Sequence, residues 1–118
     1  MSRIVAIEIA KMLADSFAHA ADDMQARALA EARVDAEQIA AATESALTQD
    51  GDLIDRDERA AIDAALATLR RLHDGADHLA LRAAVESLNH ATAELAARRM
   101  DRSVARALTG KRVDALSD

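Results

Sequence analysis

"AEARVDAEQIAAATESA", Ala30 to Ala46, decides how this chain is built. Its large apolar side chains are Val34 and Ile39, and almost everything else is alanine or charged. Alanine is the best intrinsic helix former because it loses no side-chain entropy on entering a helix. A helix that is alanine and charge nearly all round has no broad apolar stripe to bury. The stretch is therefore expected to project as an arm between packed ends and not to line a core. Its support should be local, with Asp23, Arg27 and Glu31 following one another at i,i+4 and Arg33 facing Glu37 at the same spacing. Read from about residue 22 to 49, this arm would be roughly 40 Å long at 1.5 Å per residue.

On the N-terminal side a first helix is expected over about residues 8–21, with Ile9, Met12, Leu13 and Phe17 on one strongly apolar face. The preceding "SRIVAIEIA" lacks polar capping residues, so Ile4, Val5 and Ile7 stand where a helix entry should be wet. On the C-terminal side a three-helix bundle is expected over about residues 55–110. Asp55 with Glu58 three residues on has capping-box spacing, and Ile62, Leu66, Leu69 and Leu72 form the stripe that follows. Asp77 should cap a second helix carrying Leu81, Val85, Leu88, Thr92 and Leu95, and a short last helix from about Met100 to Thr109 offers Val104 and Leu108. Gly51, Gly75 and Gly110 each follow a helical run, as a residue just past a helix end would. The fold class is all-α: one helix, a long projecting helix, then a small bundle joined by short loops.

Composition supports a thin core. Of 118 residues, 51% are hydrophobic, yet alanine outnumbers Val, Ile, Leu, Met and Phe together and there is one aromatic residue. The absence of cysteine removes disulfides and thiolate chemistry from this chain and fits a reducing, cytoplasmic setting. A net charge of −6 argues against general affinity for polyanions. No apolar run approaches a membrane span, and the first residues lack the pattern of a signal peptide.

Several stretches invite chemistry and do not support it. "DGDLIDRDE" is rich in carboxylates, but counted from Asp50 as a calcium loop its sixth position, which needs glycine, is Asp55. "HDGADH" gathers His73, Asp74, Asp77 and His78 without a third imidazole or a thiolate, so no metal is expected there. No serine has a histidine and an acid arranged around it, and no glycine-rich phosphate loop occurs. Neither a catalytic residue nor a cofactor is expected in this chain. From Arg98 onward six basic residues face three acids, and Arg98, Arg102 and Arg106 align at i,i+4 as a phosphate-binding stripe would. Against that reading, Glu94 can pair with Arg98 and no aromatic side chain is present to stack on a base. A free-standing helical adaptor or weak nucleic-acid-binding module using this arginine face is the alternative reading.

Taken together, "FAHAADDMQARALAEARVDAE", "LIDRDERAAIDAAL" and "NHATAELAARRMDRSVARALTGKRVDAL" resemble the C-terminal helical lid of the DnaK class of heat-shock chaperones, within it the HscA type. "AARRMDRSVARAL" is the most specific segment, and the resemblance spans about Glu8 to Leu116. It implies the lid of a substrate-binding domain, closing over a client peptide held in the chaperone's own β-sandwich. The parent is an ATPase using ATP and magnesium, which acts in iron-sulfur cluster assembly with an IscU-type scaffold and an HscB-type J-domain co-chaperone. By the same resemblance Glu37 matches the acid that latches the lid to the sandwich, while Ala41 stands where the class has a latching histidine. Ile9, Met12, Leu13 and Phe17 would face the sandwich. In the isolated chain that face should drive homodimerisation.

Overall fold

The computed structural model describes residues 2–116, with the side chains of Ser2 and residues 112–116 left aside. It is all-α. α1 runs Ser2–Asp50, a single 3-10 turn follows over Gly51–Leu53, and then come α2 (Arg56–His73), α3 (His78–Ala91) and α4 (Ala93–Leu116). The particle is long and thin, 93 × 37 × 16 Å.

The expected first helix and arm are one helix of 49 residues. Nothing near Ala21 and Asp22 interrupts it: there is no glycine, no proline and no β-branched run, so the backbone ladder continues across the expected boundary. For the same reason the helix begins at Ser2 and not near Glu8.

α1 is also not a bare arm. Over its second half, Ala32 and Ala36 are 0% exposed, and Thr43, Ala46, Leu47 and Asp50 are buried with them. The residues that seemed too small to make a core make one because they are small. Interhelical distance depends on the side chains at the contact, and alanine allows close approach. α3 supplies the facing wall with Leu81, Ala84 and Leu88, and α2 completes it with Ile62, Leu66 and Leu69. The core therefore consists of the C-terminal half of α1 with α2 and α3, joined by Leu95 from the first turn of α4.

Local signals place α2 and α3. Asp55 accepts from the Glu58 amide at 2.8 Å, and the Glu58 carboxylate accepts in return from the Asp55 amide at 3.2 Å, closing a capping box. The Asp77 carboxylate accepts from the Ala80 amide at 3.0 Å and caps α3. Arg70, Arg71 and His73 occupy the last turn of α2, where positive charge suits the helix dipole.

The third bundle helix corrects the expectation most. α3 ends at Ala91 with Thr92 as its C-cap, whose hydroxyl donates to the Leu88 carbonyl at 2.8 Å and to that of Asn89 at 3.2 Å. Such back-bonding by a β-branched residue bends a helix. α4 starts at Ala93, and its Leu95 is buried in the same core as Leu81 and Leu88 of α3. Val85 is only half-buried at the rim of the core. Val104 and Leu108 are not core residues: they are 49% and 62% exposed, with Met100 beside them at 65%, because α4 leaves the bundle after its first turns. Nor does Gly110 end the helix, which continues to Leu116; an interior glycine costs only about 1 kcal/mol relative to alanine.

Candidate functional site

The surface that stands out is the first half of α1. From Arg3 to Arg27 every side chain is exposed, including Ile9, Met12, Leu13 and, at 73%, Phe17. With 3.6 residues per turn, Val5, Ile9, Met12, Leu13, Phe17 and Met24 gather within about 140° of one another around the helix. The buried face of the second half, Ala32 to Asp50, lies roughly 140° away from the middle of that stripe. One straight helix thus presents two apolar faces on nearly opposite sides. The face toward the bundle is filled, and the other is bare among the described residues.

Two ionic joints fix what this overhang is attached to. The first ties α1 to the turn between α2 and α3. Arg33 donates from Nε to the His73 carbonyl and from Nη2 to the Gly75 carbonyl, both at 2.9 Å. Glu37, one turn on, sets Oε1 2.8 Å from Nε2 of His73, whose Nδ1 is 2.9 Å from the Asp74 carboxylate. Asp74, then Glu37, hold the His73 imidazole above its ordinary pKa against the opposing effect of burial. Arg33 and Glu37 therefore do not pair along the helix as their spacing predicts; each reaches across to the bundle. Glu44 pairs with Arg70 of α2 in the same way, and Glu31 lies 3.9 Å from Arg82 of α3. Glu37 is exposed on its outer side.

The second joint answers the question posed by the arginines. Arg98 donates to the Leu53 carbonyl and to Glu58, each at 2.8 Å. Arg99 donates to Asp50 at 2.8 Å, and Arg102 to Asp50 at 2.9 Å and to both carboxylate oxygens of Asp52. The basic start of α4 is thus an anchor on the acidic turn after α1. Arg99 and Arg102 hold the largely buried Asp50 carboxyl below its ordinary pKa, Arg102 does the same for Asp52, and Arg98 with the Asp55 amide does so for Glu58. Neighbouring periodicity gave no sign of these contacts, since the partners lie 40 or more residues apart. The dense acids of "DGDLIDRDE" and the later arginine run were each visible; only their mutual attraction could have suggested the joint.

The histidine pair separates. His73 belongs to the first joint, while His78 has its Nδ1 buried without a hydrogen-bond partner. Among the described residues no cluster of three or more potential ligands converges on a metal position. None of the described helices is long and apolar enough to cross a membrane.

Comparison with known proteins places this architecture. The family model described as Hsp70 protein matches residues 1–101. The chain is 57% identical over 109 residues to the chaperone protein HscA homolog of Cupriavidus taiwanensis and 52% identical over 109 residues to that of Cupriavidus necator. Each match covers 92% of this chain and 18% of the relative. The HscA homolog of Burkholderia multivorans is 54% identical over 107 residues, covering 91% of this chain and 17% of the relative. The chain spans less than a fifth of the length of these relatives. With a family match over most of its residues and relatives above half identity, it belongs to the Hsp70 family, as a C-terminal region of the HscA type.

Proposed function

We propose that the chain is the helical lid of the substrate-binding domain of an HscA-like, ATP-dependent chaperone, closing over a bound client peptide. The observation that carries this reading is the bare apolar stripe Val5 to Met24 on a helix whose other half is locked into a compact bundle. Such an element docks by one end and swings a solid body with the other. The surface it docks on would be the chaperone's own β-sandwich, against Ile9, Met12, Leu13 and Phe17. Glu37 would serve as the latch toward that surface, its carboxylate already oriented by His73. Nucleotide hydrolysis with magnesium, cytoplasmic residence, iron-sulfur cluster assembly, and work with an IscU-type scaffold and an HscB-type co-chaperone belong to the same proposal, by resemblance to the HscA type. The nucleic-acid alternative is disfavoured because Arg98, Arg99 and Arg102 are spent on Glu58, Asp50 and Asp52.

The test joins this chain to the ATPase and peptide-binding domains of an HscA-type chaperone and follows release of a labelled peptide with ADP bound. Removing the chain should accelerate release, and unchanged release would overturn the lid reading. A hydrogen bond to a charged group is worth about 1.5–3 kcal/mol. Full loss of a Glu37 latch in Glu37→Ala should therefore speed release roughly ten- to a hundredfold. Release unchanged by Glu37→Ala would reduce Glu37 to a bundle contact.

A further inference from the structure

His73 meets a carboxylate at both ring nitrogens, Glu37 from α1 at Nε2 and Asp74 from its own turn at Nδ1. An ionised carboxylate only accepts hydrogen bonds, and a neutral imidazole has one N–H to give. Contacts of 2.8 and 2.9 Å to two carboxylates are satisfied together only when both nitrogens are protonated. We infer that the joint between α1 and the α2–α3 turn is a proton-dependent clamp, closed while His73 is an imidazolium and loosened when it loses a proton. Deprotonation leaves one of the two carboxylates facing a nitrogen lone pair, so that Glu37 on α1 and Asp74 on the turn compete for the single remaining N–H.

The charged groups around this imidazole come from two elements. α1 contributes Glu37 and, against the His73 carbonyl, Arg33; the turn contributes Asp74. Arg33 keeps its charge throughout the range in which a histidine titrates, and its bonds to the His73 and Gly75 carbonyls do not depend on the ring. The clamp therefore relaxes about a fixed Arg33 pivot and does not dissociate. Because the folded-state pKa lies above the unfolded one, the contribution of His73 is complete below about pH 6.5 and is lost as the pH rises through the raised value. The prediction concerns the chain alone and holds whether or not it serves as a lid.

Ring-nitrogen chemical shifts of the labelled chain, followed from about pH 5 to about pH 9, test it across the histidine range. His73 should remain doubly protonated beyond the midpoint of a histidine peptide, and Glu37→Gln should move that midpoint down. Asp74→Asn provides the same test at the other nitrogen should Glu37→Gln disturb the fold. In urea unfolding, the stability difference between the native chain and His73→Asn should be present at the acidic end of the range and vanish at the alkaline end. A His73 midpoint at or below that of a histidine peptide overturns the clamp, as does a midpoint that neither carboxamide variant shifts.

Discussion

Ile62, Leu66 and Leu69 on α2, and Met100, Val104 and Leu108 on α4, are apolar stripes of nearly the same spacing on helices of the same chain. The first is at most 5% exposed and the second at least 49%. Spacing alone did not decide burial; the availability of a facing surface did. α2 lies against α1 and α3, which offer Ala36, Leu47, Leu81 and Leu88. α4 is steered off by the break at Thr92 and held by Arg98, Arg99 and Arg102 on the acidic turn, so charge places it while its apolar stripe runs past the end of the core. An amphipathic pattern therefore states what a helix could bury, and the neighbours determine whether it does.

The sharpest way to break the comparison is to truncate both stripes. Leu81→Ala opens a cavity in the core and should cost about 2–5 kcal/mol, while Leu108→Ala should stay within about 0.5 kcal/mol. Urea unfolding of the two variants checks this, and equal losses would mean that α4 is packed in solution. Next in size is Ala36→Leu. Ala36 is fully buried against the bundle, so added bulk should destabilise by about 1–3 kcal/mol, whereas Ala41→Leu on the exposed side should be near neutral.

The arginine anchor gives a third, smaller effect. Asp50→Asn removes the carboxylate shared by Arg99 and Arg102, and should speed amide exchange over the first turns of α4 while leaving α2 and α3 protected. Acid should do the same in the native chain. Asp50, Asp52 and Glu58 have folded-state pKa values below their unfolded ones, so their contribution is present above about pH 4 and is lost as the pH falls through the lowered values. High salt should mimic acid at the more exposed Asp52 and Glu58 contacts more than at Asp50. The last experiment concerns association and not stability. The bare face of α1 should pair copies of the isolated chain, and Leu13→Ser with Phe17→Ser should weaken that pairing in sedimentation while leaving the melting of the bundle unchanged.

These regions also mark how much the sequence could reveal. The caps at Asp55 and Asp77 and the α2 stripe were legible because each signal lies within a turn or two of itself. The continuity of α1 across Ala21 is hidden in the sequence because the apolar face of residues 8–21 gives way there to alanine and charge, while helix propensity runs on uninterrupted. The buried alanines carry no apolar stripe to reveal them, although two helices meeting closely need small residues on one of them. Thr92 looked like part of a stripe, and only its hydroxyl bonds to Leu88 and Asn89 show it as a bend. Glu37 was singled out by resemblance alone. Its bond to His73, 36 positions away, had no local signature.

The one-ended attachment of α1 makes it a lever. Arg33 and Glu37 hold it near the middle, and the rod beyond them toward Val5 extends about 45 Å at 1.5 Å per residue. A tilt of about 10° at that fulcrum would carry the far end through about 8 Å over this length. A rotation of that size in how the packed half of α1 sits on the bundle would thereby become a displacement wider than the separation of two neighbouring strands in a sheet.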